Sequence, residues 1–294
     1  MTVLRNALGS FDGISCAQVA LERAGIELEG TYYASEIDEY AITVANKNYP
    51  DTIQLGDIKD WRDWDLEDVD LITGGSPCQG FSIAGKRLNF KDPRSTLFFH
   101  FVDILNHYNP KYWLLENVKM RKDIEVAIST MLGCEPVVIN SGLVSAQNRE
   151  RLYWTNIPIT QPEDKGIVFN DIMIPNLPPT GELREYFEEK EGVYSPKGMC
   201  HIGSADIRGI DSLKRVYCPT GKMATLTTSQ GGHREGKVSL SDSEWRKVTP
   251  LEAERLQTLP DNYTEGLSNS QRYKMVGNGW TVDVIAHILS GIET

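Results

Sequence analysis

The 294-residue sequence predicts an α/β protein, a doubly wound and mostly parallel sheet with a small irregular second domain. Three observations predict it. Short apolar runs alternate with helical patterns through the first 157 residues, which is the rhythm of βαβ units. No two of those runs have hairpin spacing, so crossover helices rather than tight turns join them. From about 160 to 249 the rhythm breaks, with Pro162, Pro175, Pro178, Pro179, Pro196 and Pro219 and the Gly231-Gly232 turn interrupting any periodicity.

The first strand is read over residues 3–11, a long stretch that mixes apolar and polar residues. Helical spacing follows at 14–24, a strand at 31–35 and a second helix at 38–48. A third strand-like run leads to Gly56-Asp57-Ile58, and the apolar run 69–73 is the next strand. Helices at 96–109 and 123–131 alternate with strands at 112–115, 137–140 and 152–155. Loops and short strands are expected across 160–249. Helical patterning resumes at Pro250, a residue suited to a first helical turn, with Thr249 as its cap. These breaks divide the chain into one domain of 1–159 plus 250–294 and another of 160–249.

Formal net charge is −11, which looks unsuited to a polyanion partner, whose binding rests largely on phosphate neutralisation. The charge is unevenly spread. Residues 1–75 carry 5 basic and 15 acidic groups, residues 76–160 carry 10 and 7, and residues 193–249 carry 9 and 5. A protein with an acidic far side can still present a basic face; solvated charge scatter is the plainer alternative. The five cysteines form no C-x-x-C pair, so neither a disulfide framework nor a metal site is expected. The start Met1-Thr2-Val3-Leu4-Arg5 lacks the pattern of a signal peptide, and no run approaches the roughly 18 apolar residues of a membrane helix. A cytoplasmic protein without a membrane partner is the expectation.

Four segments carry chemistry. Phe11-Asp12-Gly13-Ile14 is a glycine-bearing turn between strand and helix, where a backbone can approach a nucleotide-like ligand; alone it also reads as a plain turn. Glu36 ends the next strand, about 20 residues on, where a carboxylate can accept ribose hydroxyls, and Asp57 and Ile58 follow the third strand-like run. Both acidic residues could instead be helix caps or surface charges. Gly74-Gly75-Ser76-Pro77-Cys78-Gln79 follows the strand 69–73, and ligands bind at strand ends of open parallel sheets, so Cys78 is placed like a nucleophile. The loop runs on through Lys86, Arg87, Lys91 and Arg94, basic enough to close over an anionic polymer; an exposed linker is the alternative. Leu114-Leu115-Glu116-Asn117-Val118 sets a carboxylate at the neighbouring strand end. A thiolate adding to an aromatic ring needs such a proton-sharing partner. In Gln147-Asn148-Arg149-Glu150-Arg151, alternate residues of an extended segment face one way, so Arg149 and Arg151 are expected to project together, toward a carbonyl or phosphate or into a surface ion-pair ladder.

These segments, with Gly277-Asn278-Gly279-Trp280, stand in the order of the C5-cytosine DNA methyltransferase motifs, and the chain resembles that family almost throughout except in 160–215. The compact length resembles bacterial and phage enzymes. Tyr33-Ala34-Ser35-Glu36, Val144-Ser145-Ala146 and the Trp after Gly279 also resemble the catalytic domains of animal de novo enzymes. The resemblance implies a Rossmann-like, class I methyltransferase fold, S-adenosylmethionine as cofactor and S-adenosylhomocysteine as product. It implies Cys78 as nucleophile toward C6 of a flipped cytosine, Glu116 at N3 and N4, and Arg151 with Arg149 at O2. Phe11, Gly13, Ile14, Glu36, Ile37, Asp57, Ile58, Pro77, Leu97, Asn278, Gly279 and Trp280 would contact the cofactor. Gln79, Lys86, Arg87, Arg94, Thr225, His233 and Arg234 would contact double-stranded DNA, the last three within a segment resembling the family's recognition region. The expected enzyme is a monomer without metal, acting in a bacterial or phage-infected cell. A non-catalytic DNA-binding relative and a tRNA-directed enzyme are the alternatives. Joint retention of Cys78, Glu116 and Arg151 argues against the first, and Gln79-Gly80-Phe81-Ser82 is more like the DNA enzymes.

Overall fold

The computed structural model describes residues 2–76, 96–187, 198–229 and 233–292. In chain order its strands and helices are β1 (Thr2–Leu4), β2 (Asn6–Ser10), α1 (Cys16–Ala24), β3 (Ile26–Leu28), β4 (Tyr32–Ser35), α2 (Glu39–Asn48), β5 (Ile53–Gln54), β6 (Val69–Gly74), α3 (Thr96–Tyr108), β7 (Tyr112–Val118), α4 (Lys122–Leu132), β8 (Val137–Asn140) and β9 (Glu150–Thr155). There follow α5 (Phe169–Ile172), β10 (Gly181–Tyr186), β11 (His201–Ala205), α6 (Asp211–Lys214), β12 (Arg215–Tyr217), β13 (Lys237–Ser239), β14 (Glu244–Lys247), α7 (Pro250–Leu256), α8 (Asn269–Asn278) and α9 (Val282–Leu289).

Two compact units result: residues 1–139, 150–161 and 284–294, and residues 140–149 and 162–283. The main sheet has the order β5-β4-β2-β6-β7-β9-β8. Strands β5, β4, β2, β6 and β7 pair in parallel, and β9 runs antiparallel to β7, which makes the sheet mixed at that side. All six residues of β6 are buried, as expected of a central strand covered on both faces. Leu8, Ile72, Leu115, Leu152 and Trp154 from the strands pack with Phe98, Phe101 and Ile104 of α3 and Ile124 and Ile128 of α4.

The single first strand expected over 3–11 is two strands. It breaks at Arg5, β1 pairing with β3 and β2 joining the main sheet. The cause is Asp70, a buried carboxylate inside β6. Arg5 meets it with its backbone N–H at 2.9 Å and its Nη2 at 2.7 Å, and Lys111 lies 3.5 Å away. Burial alone would raise the Asp70 carboxyl; the Arg5 hydrogen bonds more than offset it and hold the group below its ordinary value. The polar character of this stretch is therefore the signature of an ion pair between the exposed Arg5 and the buried Asp70.

In the second unit, β10 to β14 close into a barrel. Its strands have three to six residues each, too short for a period to register in the sequence. As expected, α7 starts at Pro250 with Thr249 as cap. The Thr249 hydroxyl accepts the Glu252 N–H while the Glu252 carboxylate accepts the Thr249 N–H.

Candidate functional site

The first unit gathers its chemistry at the carboxyl ends of β2, β4, β5, β6 and β7, where open parallel sheets bind ligands. After β2 the chain turns through Phe11, Gly13 and Ser15 with φ of 56°, 59° and 61°. Left-handed backbone at two non-glycine residues persists only where the surroundings over-determine it. Here the Asp12 N–H donates to the Ser35 carbonyl at 3.1 Å and the Gly13 N–H to Glu36 Oε2 at 2.8 Å. The Glu36 Oε1 accepts the N–H groups of Ile37 and Asp38, each at 2.8 Å. Glu36 thus ties the glycine turn to the end of β4, and three of its roughly four acceptor positions are taken. A side chain added at Gly13 would meet nothing within 4 Å, so the turn faces open space.

Asp12, a half-buried residue of this turn, accepts the Tyr32 hydroxyl at 2.6 Å. Burial pushes its carboxyl up to about 7 against the pull of that hydrogen bond. Asp57 caps the 3-10 helix Ile58–Asp63, its Oδ1 accepting the Lys59 N–H at 3.1 Å and its Oδ2 pairing with the Lys59 ammonium at 3.0 Å. Burial raises the Asp57 carboxyl and Lys59 more than offsets it, leaving it below the ordinary range. Ile37 is 68% exposed beside Glu36, Ile14 and Ile58 are buried, and Leu97 packs on the core from α3.

Strand pairing sets β6 beside β7, with Gly74 opposite Leu115. Glu116 is buried. Arg151 lies opposite Val118 on β9, which puts it on the same face as Glu116 and diagonal to it, and its Nε is 2.9 Å from Glu116 Oε1. That contact is an ion pair at close range whose N–H is not aimed at the oxygen. The next residue, Asn117, turns to the other side and donates to the Ser76 hydroxyl at 3.1 Å and the Ser76 carbonyl at 3.3 Å. Sequence reasoning gave Asn117 no task; an amide after a strand-end carboxylate is the only local signal. Pro77, Cys78, Gln79, Lys86, Arg87 and Arg94 lie outside the described residues.

Arg149 departs from expectation. It does not share the surroundings of Arg151. Its buried guanidinium donates to the carbonyls of Leu226 at 3.3 Å, Gly277 at 3.3 Å and Gly279 at 2.9 Å, all in the second unit. The alternation rule fails because β9 begins only at Glu150, so the two arginines do not belong to one strand. Arg149 is a clasp for two backbone segments, one at Leu226 and one at Gly277–Gly279.

In the second unit, the Thr225 hydroxyl donates to the Asn148 carbonyl at 2.5 Å, tying the recognition-like segment to the 140–149 segment. His233 and Arg234 are exposed, as is Asn278 at the end of α8, with Gly279 and Trp280 half-buried. Among the described residues no helix is long and apolar enough to cross a membrane.

The comparisons with known proteins follow the same lines. The profile of the C-5 cytosine-specific DNA methylase family matches residues 8–197 and 202–294. Type II methyltransferase M1.ScrFI of Lactococcus lactis subsp. cremoris is 33% identical over 86% of this chain and 69% of its own length. Type II methyltransferase M.HpaII of Haemophilus parainfluenzae is 30% identical over 94% and 85%. The structure of Entamoeba histolytica methyltransferase EhMeth superposes with a TM-score of 0.71 at 18% identity, covering 98% of this chain and 97% of that one, a likeness of fold. Matched over nearly its whole length, the chain belongs to the C-5 cytosine-specific DNA methylase family.

Proposed function

We propose that the protein transfers a methyl group from S-adenosylmethionine to C5 of a cytosine flipped out of duplex DNA, through a covalent bond between Cys78 and C6. One observation carries the reading. Glu116, paired with Arg151, stands on β7, and its neighbour Asn117 grips Ser76, two residues before Cys78. A carboxyl group, a guanidinium and the root of the cysteine segment therefore share one sheet edge.

Residues of the first unit fit the cofactor. The open turn at Gly13 suits a close backbone approach, Glu36 keeps acceptor capacity at Oε2 for a hydroxyl, and exposed Ile37 offers apolar cover for a base. Phe11, Ile14, Asp57, Ile58, Pro77 and Leu97, with Asn278, Gly279 and Trp280, complete the set implied by family membership. When bound, S-adenosylmethionine supplies a sulfonium methyl as electrophile. The protein does the rest. Cys78 attacks C6 as thiolate, and Glu116 shares a proton at the ring nitrogen so that the ring can accept the electron pair. Arg151 holds Glu116 and faces the O2 side. A base then removes the C5 proton and the thiolate leaves. Flipping the base out costs a few kcal/mol, offset by DNA contacts from Gln79, Lys86, Arg87, Arg94, Thr225, His233 and Arg234.

Radiolabelled methyl transfer to duplex DNA and to tRNA, with Cys78→Ala alongside, tests the reading. Incorporation into DNA alone, abolished by the substitution, is expected. Label in tRNA alone, or label in DNA that survives loss of the thiol, would refute it. Glu36→Ala is expected to raise the cofactor KM first. It removes three charge-assisted acceptor contacts, one to the glycine turn at Gly13 and two to the N–H groups of Ile37 and Asp38, each worth about 1.5–3 kcal/mol, and none of the three donors is on β7. A fall in kcat with an unchanged KM would contradict that assignment.

A further inference from the structure

We propose that Gln257 is a positioning residue that couples the Gly277–Trp280 turn to the Leu226 segment, so that cofactor at the first tightens DNA binding at the second. The proposal rests on the functional reading above, which gives the turn to the cofactor and the segment to DNA. Its physical basis lies wholly within the second unit.

Gln257 follows α7 and is fully buried, as is Gln147. The Gln257 amide donates to the carbonyls of Val276 at 2.9 Å and Gly279 at 3.0 Å, gripping the end of α8 and the turn behind it. Its oxygen accepts the Thr281 hydroxyl at 2.7 Å and the Gln147 amide at 2.8 Å. Gln147 also donates to the Leu256 carbonyl at 2.7 Å, and its own oxygen accepts the Leu226 N–H at 3.1 Å. Arg149 closes the circuit, with Leu226 on one nitrogen and Gly277 and Gly279 on another. Every donor and acceptor of the two amides is named here, so neither can rotate without stranding a buried polar group.

Steric contact runs parallel to the hydrogen bonds. A Cβ on Gly277 would lie 2.4 Å from the Thr227 carbonyl oxygen, so the helix end and the segment touch backbone to backbone. A shift of the 277–280 turn must therefore be taken up at 225–227. Two rigid amides in series, with an arginine across them, transmit position between segments some 50 residues apart in sequence. Two ligands that each favour the same arrangement of this network bind cooperatively.

The test measures the dissociation constant of the full chain for a random-sequence DNA duplex at fixed salt, with and without saturating S-adenosylhomocysteine. The native protein is expected to give a ratio of about 5-fold or more. Gln257→Met should bring the ratio to about 1, removing the amide at nearly constant volume. Thr281→Val, which deletes one hydroxyl and folds more safely, should lower it part of the way. Arg255→Met removes a pair with Asp261 and a bond to the Ile172 carbonyl in the same unit and serves as the structural control, with the ratio retained. Hydrogen exchange at 224–229 should slow on adding S-adenosylhomocysteine to the native protein and not to Gln257→Met. An unchanged ratio in both network variants, or an equal fall in the control, overturns the proposal. A native protein that binds both ligands with no coupling overturns the inference alone. One that binds neither overturns the functional reading beneath it.

Discussion

Glu116→Gln is expected to slow methyl transfer by about 10²–10⁴-fold, the range lost when a positioned acid–base group is removed, while the cofactor dissociation constant stays close to native. An amide can hydrogen-bond the ring but cannot give up a proton, so the electron pair arriving from the thiolate has nowhere to settle. A second effect accompanies the first. Arg151 has only 14% of its side chain exposed and loses its anionic partner, which leaves a poorly solvated cation. A fall in stability should therefore appear alongside the rate defect, without a matching loss of cofactor binding, because the Gly13 turn is held by Glu36. Single-turnover transfer and equilibrium cofactor binding separate the terms. Comparable losses in both would remove Glu116 from the chemistry.

The placement of Glu116 could be read from the sequence because it needed only strand ends and residue types. Neighbouring apolar runs put Glu116 and the cysteine segment at one edge, and parallel pairing of β6 with β7 brought Gly74 opposite Leu115. Helix positions were equally legible: α1 to α4 lie within a residue or two of where the 3.6-residue pattern put them. What escaped depended on partners far away in sequence. Arg5 breaks the first strand for the sake of Asp70, 65 residues on. Arg149 and Arg151 differ by two positions yet serve different surroundings, since the strand that would align them starts between them. Gln257 gave no signal, because a polar residue at a helix end usually meets water, and only folding shows it meeting Gln147. Glu36 was legible as a strand-end carboxylate, but its hold on three backbone N–H groups was not.

The largest stability effect is expected at Glu252, whose place in the capping box with Thr249 would by itself be worth about 1 kcal/mol. Folding gives it far more. Its Oε1 accepts Arg246 Nη2 at 2.6 Å and the Ile174 N–H at 2.8 Å; its Oε2 accepts Arg246 Nη1 at 2.9 Å, the Thr249 N–H at 2.8 Å and the Thr249 hydroxyl at 3.1 Å. Both partners are shut off from water, with 2% of the Arg246 side chain and none of the Glu252 side chain exposed. Glu252→Ala strands a buried guanidinium and three further donors, so a loss of about 3–5 kcal/mol is expected. Arg246→Met should cost less. The carboxylate it leaves behind still accepts two N–H groups and a hydroxyl, whereas the guanidinium left by Glu252→Ala keeps only the carbonyls of Lys247 and Ile174. Because the chain forms two compact units, a single unfolding transition need not report on this one alone. Urea unfolding followed by hydrogen exchange in β13 and β14 reads the affected unit directly. If Arg246→Met proved the more damaging of the two, the carboxylate would not be the hub that joins β14, the Ile174 turn and the start of α7.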